Sequence, residues 1–160
     1  MGITDKDVKA TSDTRRYLEF YLGGESYAVE LLKVKEVITP PDMTPIPKSP
    51  AYVCGLMNLR GLVLTVIDLR KKLGITPEKD ASQNAVIIFD LGERMVGVVV
   101  DSIQKVLNLP ESAIKDIPDA EGQSKEHLLG ILQNDSRLIM WIDPQALLDG
   151  NSTKTILKAA

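Results

Sequence analysis

The sequence predicts a mostly β fold in which two small five-stranded barrels pack side by side, with only short helices. About eight to ten short apolar runs, rich in β-branched residues, have the length and spacing of strands. Two blocks of the chain also recur in the same order, which indicates a duplicated unit. Because a half of about 65 residues is only marginally stable alone, the two barrels are expected to bury their apolar sides against each other.

A β-hairpin is predicted at the centre of the chain. Two apolar runs, Val53–Leu59 and Leu62–Ile67, are bounded by turn residues and separated by Arg60 and Gly61. Glycine accepts a positive φ at little cost, so this dipeptide predicts the turn. The pattern places an arginine at the hairpin tip, where it has no packing role.

A short helix is predicted directly after this hairpin. Asp68 has the position of an N-cap for residues 69–73, and Gly74 ends the helix. The basic residues 70–72 are expected on the solvent face of this helix.

Two further aspartates are interpreted in the same way. Asp143 precedes Pro144 and predicts an N-cap with a proline at the first helical position. Asp101, with Gln104 three residues later, resembles a capping box and predicts a helical turn through Val106. All three aspartates are therefore assigned to helix caps and not to metal binding or acid–base chemistry.

The duplicated unit rests on two alignments without gaps. Residues 55–68 align with 130–143, and residues 20–38 align with 89–107. The alternative is that unrelated hairpins match at apolar positions, but the coincident glycines and the terminal Ile-Asp favour duplication. The prediction is one domain over 15–149 that consists of two interleaved barrel subdomains, formed from the pseudo-repeats 15–74 and 85–149.

The beginning of the domain predicts strands followed by a helix. Residues 1–14 are predicted to be a flexible tail, and the strand period begins at Arg15 and runs to Leu22. The returning strand covers Tyr27–Val29, and the apolar spacing from Glu30 to Ile38 is closer to a helical face. Five prolines between residues 40 and 50 then predict an extended loop.

The second half is predicted to contain two more hairpins. The first pairs Ala85–Leu91 with Met95–Val100, where Gly97 suggests a bulge or a close backbone approach. After a long polar connection over residues 108–127, the second pairs Leu128–Gln133 with Arg137–Ile142. The final residues 150–160 are predicted to be a loose tail.

Composition excludes several classes of function. The net charge of −3 and the pI near 5.2 argue against a nucleic-acid binder, which needs a concentrated basic face. The apolar runs are far shorter than the roughly 20 residues of a membrane span, so no direct membrane insertion is expected. The single cysteine, Cys54, permits no internal disulfide and suits a reducing cytoplasm.

The sequence predicts neither catalytic residues nor a cofactor or metal site. His127 is the only histidine, so no histidine cluster can hold a metal. Cys54 and Trp141 are interpreted as core residues because both stand inside apolar strands. Arg60 is the residue that is hardest to explain by structure, since its counterpart in the repeat is Asp135.

Several short motifs, in this order and spacing, resemble the CheW family of chemotaxis coupling proteins, and the match covers residues 15–149. These motifs are Gly23-Gly24-Glu25, Val34-Lys35-Glu36-Val37, Pro50-Ala51-Tyr52-Val53, Asn58-Leu59-Arg60-Gly61, Val66-Ile67-Asp68-Leu69-Arg70 and Val96-Gly97-Val98-Val99-Val100-Asp101. The resemblance implies two SH3-like barrels, as in the regulatory domain of the histidine kinase CheA.

The resemblance also implies a non-catalytic cytoplasmic adaptor that is recruited to membrane-associated chemoreceptor arrays. Its partners would be a CheA-type kinase and the tips of methyl-accepting chemotaxis receptors. The implied receptor-binding residues are Val34, Gly55, Asn58, Arg60 and Val99. Kinase contacts are implied at Glu36 and Val37, and Lys115 is implied in a second contact that joins CheA-type domains into rings.

Other functions remain open on the residues alone. The main alternative is a small ligand- or peptide-binding double barrel in another signalling system. A catalytic barrel would need convergent titratable groups, and an oligosaccharide- or nucleic-acid-binding barrel would need exposed aromatic residues. Aromatic residues make up only 4% of the chain, and several of them stand in strand interiors.

Overall fold

The computed structural model describes residues 14–118 and 127–148. The predicted tails lie outside the described residues, except for Thr14, which already belongs to the first strand. The strands are β1 (Thr14–Leu22), β2 (Glu25–Glu30), β3 (Val34–Ile38), β4 (Val53–Leu59), β5 (Leu62–Asp68), β6 (Ala85–Asp90), β7 (Met95–Val100), β8 (Ser102–Pro110), β9 (Ile114–Lys115), β10 (Leu128–Asn134) and β11 (Arg137–Ile142). The α-helices are α1 (Leu69–Leu73) and α2 (Pro144–Leu148), and 3-10 turns cover Leu31–Lys33, Ala81–Gln83 and Glu111–Ala113.

The strands form two sheets, which confirms the predicted fold class. The first has six strands in the order β8-β1-β2-β11-β10-β9, and the second has five in the order β3-β6-β7-β5-β4. We call them barrel 1 and barrel 2. The end strands of barrel 2 share one interior, because Ile38 of β3 and Leu59 of β4 both pack against the same buried cluster.

The strand order of one barrel repeats that of the other. If β1, β2, β3, β4 and β5 correspond to β6, β7, β8, β10 and β11, as the two alignments require, the two sheet orders become equivalent. Each barrel also contains one parallel strand pair at the equivalent position. This pair is β2 with β11 in barrel 1 and β7 with β5 in barrel 2. Each barrel therefore takes strands from both halves of the chain.

The equivalence extends to the connections that precede the last hairpin of each barrel. Thr44 in the proline-rich loop makes an isolated antiparallel bridge with Leu56. Lys115 of β9 pairs in the same way with Ile131, which aligns with Leu56. The sixth strand of barrel 1 is thus the counterpart of a single bridge in barrel 2.

Three buried clusters stabilise the fold, one inside each barrel and one between them. The cluster between the barrels, here called the seam core, draws on both sheets and includes Leu18, Phe20, Val29, Ile67, Ile87, Phe89, Val98, Ile142 and Leu147. Strand β1 contributes to both sides, because Tyr17 faces the interior of barrel 1 while Leu18 faces the seam core. The apolar sides of the two barrels are therefore buried against each other, as predicted.

The helix predicted over residues 30–38 is wrong. A 3-10 turn covers Leu31–Lys33, and Val34–Ile38 form strand β3. Strand β3 pairs with β6, and only its alternate residues turn inward, so tertiary pairing decides the conformation here over the local apolar spacing.

The helical turn predicted after Asp101 is also wrong. Residues 102–110 form the long strand β8, which pairs along β1. Much of the polar connection predicted over residues 108–127 is ordered too, as the end of β8, a 3-10 turn and β9. The edge of β1 supplies hydrogen bonds that the local sequence pattern does not reveal.

The predicted hairpins, two of the helix caps and the close approach at Gly97 are confirmed. The three hairpins form as expected, and Asp68 and Asp143 cap the amides of Arg70 and Gln145 at the starts of α1 and α2. Gly74 ends α1 with a φ of 71°. At Gly97, an added Cβ would lie 3.0 Å from a methyl group of Val86, so the predicted close approach is present.

Candidate functional site

A groove opens at one end of the seam between the barrels, where the chain passes from β2 to β3. It has a volume of about 710 Å³. We call it the seam groove; its lining residues are Thr14, Arg15, Arg16, Glu30, Leu31, Leu32, Val34 and Asn108. Leu32 is 86% exposed, and the two arginines at the start of β1 are also exposed. The groove therefore combines an apolar lining with a charged rim.

Strand pairing explains why these residues meet. Arg16 of β1 lies opposite Asn108 of β8, and directly paired side chains in a sheet point to the same face. Two residues further along, Val106 lies opposite Leu18, a member of the seam core. Val106 is 49% exposed, so the apolar surface continues along β8 beside the groove.

Of the implied receptor residues, only Val34 lines the seam groove. Its other lining residues were not predicted as site residues, because they come from β1, the 3-10 turn and β8, which are distant in sequence. The Arg15-Arg16 pair at the start of an alternating strand was the one visible signal. The sequence could not show that this pair faces Leu31 and Leu32.

Arg60 forms a bidentate ion pair with Glu36. Its Nη1 lies 2.6 Å from Glu36 Oε1, and its Nη2 lies 3.1 Å from Oε2. Arg60 has a φ of 50°, and the Asn58 side chain supports the turn by accepting a hydrogen bond of 2.8 Å from the Gly61 amide. Hydrogen bonds from Arg60 lower the pKa of Glu36, and the same contact raises the pKa of Arg60.

Arg60, the residue that was hardest to explain by structure from the sequence, therefore has a structural partner in Glu36. Closure of barrel 2 brings β3 beside the tip of the β4–β5 hairpin, and strand order along the sequence does not reveal this contact. The side chain of Arg60 remains 74% exposed, so the ion pair lies on the surface. Its contribution to stability is accordingly small.

The ion pair joins the two sets of implied contacts. Arg60 belongs to the receptor set and Glu36 to the kinase set, so the two sets share one edge of barrel 2. Val37 is 39% exposed, whereas Glu36 is partly buried beside it, so adjacent residues of β3 present opposite faces. Lys115 is exposed on β9 and belongs to barrel 1.

Two implied receptor residues are buried. Gly55 has a φ of 141°, and an added Cβ would lie 2.4 Å from the carbonyl oxygen of Thr44. Val99 is 5% exposed and packs in the interior of barrel 2 with Met57 and Leu64. These residues shape the hairpin and its support, while Asn58 and Arg60 present side chains to solvent.

Arg70 is buried, contrary to the expected exposure of residues 70–72. Its Nε and Nη2 each donate a 2.9 Å hydrogen bond to Asp68, and its Nη1 donates one of 2.7 Å to Asp101. Asp101 Oδ2 accepts a further hydrogen bond of 2.6 Å from the Gly23 amide. The two carboxylates, Asp68 above all, raise the pKa of Arg70.

This arrangement corrects the assignment of Asp101 to a helix cap. We call Asp68, Arg70 and Asp101 the buried ion cluster. Arg70 turns inward because two carboxylates and the seam between the barrels compensate for its removal from water. Nothing in the spacing of residues 68–74 indicates the second carboxylate, which lies at the end of β7.

A smaller cavity of about 220 Å³ lies between α1 and barrel 1. Its lining residues are Tyr27, Lys72, Leu73, Ile75, His127, Leu128, Met140 and Ile142. The Nδ1 atom of His127 is buried without a hydrogen-bond partner. Burial raises the pKa of Tyr27 and keeps its hydroxyl protonated.

The described residues show no centre for metal chemistry. In residues 14–118 and 127–148, no group of three His, Cys, Asp or Glu side chains could hold a metal ion. Burial raises the pKa of the Cys54 thiol, which disfavours the nucleophilic thiolate. Trp141 is 8% exposed and belongs to the interior of barrel 1, as predicted. None of the helices in the described part of the chain is long and apolar enough to cross a membrane.

Two barrels with a shared core, an open groove and a charged hairpin tip are the architecture expected of a scaffold. Comparison with known proteins identifies the family. The CheW-like domain matches residues 16–152, so the chain belongs to the CheW family, as its motifs predicted.

Relatives with curated names agree with this assignment. The chain is 33% identical over 135 residues to the chemotaxis protein CheW of Klebsiella aerogenes, a match that covers 84% of this chain and 81% of the relative. It is 32% identical over 143 residues to the chemotaxis protein CheW of Bacillus subtilis, covering 88% and 90%. Membership of this family supports a role in chemotaxis.

A solved structure agrees as well. The crystal structure of the scaffolding protein TtCheW from Thermoanaerobacter tengcongensis superposes with a TM-score of 0.79 at 28% identity. The superposition covers 86% of this chain and 94% of that one. The double barrel is thus shared with a protein described as a scaffold.

Proposed function

We propose that this chain is a non-catalytic adaptor that couples the cytoplasmic tips of chemoreceptors to a CheA-type histidine kinase. The observation that carries the proposal is the seam groove, an open apolar surface with charged rims in a member of the CheW family. Such a groove suits a helical partner, because a helix docks by placing residues at i, i+3 or i+4 into an apolar groove.

The groove suits a helix with an apolar stripe and acidic flanks. Leu31, Leu32 and Val34 offer contacts to the stripe, and Leu32 is already largely exposed in the free protein. Arg15 and Arg16 offer charge-assisted hydrogen bonds to carboxylates at one edge. The receptor surface continues to Asn58 and Arg60 at the hairpin tip of barrel 2.

The kinase surface is proposed at Glu36 and, on the other face of β3, at Val37. Val37 points away from the ion pair and lines a shallow depression with Ile38 and residues 82–85. An exposed apolar side chain beside a polar rim is typical of the centre of a transient interface. Lys115, on barrel 1, is proposed to contribute a second kinase contact that closes CheA-type domains into rings.

An adaptor of this kind acts by holding its two partners at fixed positions on one scaffold, without chemistry of its own. The shared seam core packs the two barrels against each other, so a displacement at the receptor surface can be transmitted to the kinase surface. We place the protein in the cytoplasm, recruited to membrane-associated arrays through its receptor partner.

Paired titrations test this proposal. The binding of a receptor tip fragment and of a CheA regulatory domain is measured for wild type, Arg16→Glu and Val37→Asp. Arg16→Glu reverses a groove charge and is expected to weaken receptor binding about tenfold, while Val37→Asp weakens kinase binding to a similar extent. Lys79→Glu, an exposed charge reversal outside both surfaces, serves as the control.

The pattern of losses decides between models. Equal losses for both partners in both variants would indicate one shared site and contradict the two-surface adaptor. Wild-type protein that binds neither partner would contradict the coupling function altogether.

The cavity beside His127 supports the alternative of a small-ligand module. It is enclosed on the side of α1, and it holds a buried ring nitrogen with no partner. A screen of small carboxylic acids by NMR tests this alternative. Shifts confined to the resonances of Tyr27 and His127 would favour it.

A further inference from the structure

The chain passes between the two barrels twice within the described residues. The first passage is the 3-10 turn Leu31–Lys33, which leads from β2 of barrel 1 to β3 of barrel 2 and forms a wall of the seam groove. The second passage is a single residue, Asp101, between β7 of barrel 2 and β8 of barrel 1. The gap at 119–126 is flanked by β9 and β10, which both belong to barrel 1.

Asp101 is held from both barrels. From barrel 1, the Gly23 amide donates to its Oδ2 at 2.6 Å, and its own amide donates to the carbonyl oxygen of Tyr21 at 3.1 Å. From barrel 2, Arg70 of α1 donates to its Oδ1 at 2.7 Å. Asp101 is 2% exposed and Arg70 is 7% exposed, so solvent does not screen these contacts.

Within residues 14–118 and 127–148, the equivalent position in the other barrel has no such ion cluster. Asp143 corresponds to Asp68 and caps α2 in the same way, but the residue aligned with Arg70 is Gln145. The passage at Leu31–Lys33 is flanked by Glu30, whose side chain makes no capping hydrogen bond to the turn. The duplicated fold therefore forms caps without the ion cluster, and the cluster is an addition at one end of the seam.

The cluster and the groove lie at opposite ends of strand β1. The groove contains Arg15 near the start of β1, whereas Gly23 follows its last residue. At about 3.3 Å per residue, the strand separates them by about 26 Å. A rotation of about 5° between the barrels, centred on Asp101, therefore moves the groove wall by about 2 Å.

We propose that the buried ion cluster fixes the angle between the barrels and so sets the width of the seam groove. Asp101 and Arg70 are positioning residues for the receptor surface, although neither touches it. This inference rests on the proposed function for its effect on receptor binding. Its geometric part does not require any partner.

The test measures the groove directly. Two exposed positions, one on each barrel, are changed to cysteine and carry the spin labels. They are Lys35→Cys on β3 and Asn108→Cys on β8, in a background with Cys54→Ala. Pulsed dipolar spectroscopy gives the distribution of distances between the labels. It is recorded for the otherwise unchanged protein, for Asp101→Asn and for the matched control Asp143→Asn.

A second variant guards against a failure to fold. The combined substitution Asp68→Asn, Arg70→Met and Asp101→Asn removes all three charges together, and buried ion clusters replaced in this way commonly leave a folded protein. Circular dichroism and a cooperative melt establish that each variant is folded.

The cluster variants are expected to broaden or shift the label distance by about 2 Å or more, while Asp143→Asn leaves it unchanged. The same variants are expected to weaken binding of a receptor tip fragment about tenfold and to change kinase-domain binding by less than about twofold.

A distance distribution identical to that of the unchanged protein in both folded cluster variants would overturn the proposal. A changed distribution with unchanged receptor affinity would overturn the positioning role. Failure of the unchanged protein to bind the receptor fragment would instead refute the proposed function, and the label distances would still decide whether the cluster sets the angle.

Discussion

Gly55→Ala separates a structural role of this residue from the receptor contact that family resemblance implies. Gly55 has a φ of 141°, a conformation that side chains rarely adopt, and an added Cβ would lie 2.4 Å from the carbonyl oxygen of Thr44. That oxygen accepts a 2.8 Å hydrogen bond from the Leu56 amide, and the Thr44 amide donates a 2.8 Å hydrogen bond to the carbonyl oxygen of Leu56. The substitution must therefore strain the strand and displace the proline-rich loop.

The size of the effect follows from these contacts. Backbone strain of this kind costs about 2 kcal/mol. Loss of the two hydrogen bonds costs about 1 kcal/mol each, for a total of about 4 kcal/mol. For a chain of this length, that total lowers the melting temperature by roughly 8–16 °C.

Thermal and urea unfolding measure the loss, and two glycines provide controls. Gly61 has a φ of 89° with no atom within 4 Å of an added Cβ, so Gly61→Ala carries the strain without the clash. Gly130, the counterpart of Gly55, would place its Cβ 3.1 Å from the carbonyl oxygen of Lys115 without a positive φ. If Gly55→Ala melts within about 2 °C of Gly61→Ala, the contact with Thr44 does not constrain this site and the reasoning is refuted.

Four further outcomes are expected. Ile67 is fully buried in the seam core, so Ile67→Ala is expected to lower the free energy of unfolding by about 2–5 kcal/mol in urea denaturation, and a loss below about 1 kcal/mol would contradict its place in the core. Arg60→Ala is expected to change the melting temperature by less than about 2 °C, because the ion pair with Glu36 is on the surface; a larger fall would make the pair structural. That pair lowers the pKa of Glu36. Its stabilising contribution is therefore fully present above the ordinary glutamate pKa of about 4.3 and is lost as the pH falls through the lowered pKa. A carbon-13 titration should show a low pKa for Glu36 that returns toward the ordinary value in Arg60→Ala, and no return would exclude Arg60 as its cause. Finally, Arg60→Glu places a second carboxylate against Glu36 and is expected to weaken both partners, unlike Arg16→Glu; a selective loss of receptor binding would show that Glu36 is not part of the kinase surface.

That last expectation revises what the sequence suggested. From the motifs alone, Arg60 was assigned to the receptor surface and Glu36 to the kinase surface. The ion pair of 2.6 Å makes them one unit. Residues that do not touch, such as Arg16 and Val37, now provide the sharper test.

Local chemistry in the sequence was sufficient for much of the fold. β-branched runs around Arg60-Gly61 predicted the central hairpin, and Asp68 with Gly74 predicted the bounds of α1, because caps and turns depend on neighbouring residues. The alignment of 55–68 with 130–143 predicted equivalent hairpins, and the β4–β5 and β10–β11 hairpins occupy equivalent positions in the two sheets. The motifs were also sufficient to identify the family.

Contacts between distant segments were beyond the reach of the sequence. The segment after Glu30 has a helical spacing, but its pairing with β6 makes residues 34–38 a strand. The residues after Asp101 form strand β8 and not a helical turn, because they pair with the edge of β1. Arg70 looked like a solvent-facing helix residue until the seam placed Asp101 beside it.

The sequence by itself determined the three hairpins and the caps of α1 and α2, since each depends on residues close together in the chain, and its motifs identified the family. The tertiary structure alone decided that Arg15 and Arg16 share a groove with Leu32, that Arg70 reaches Asp101, and that Arg60 meets Glu36. The physical reason is that closing and packing two sheets brings together side chains whose local patterns carry no information about one another.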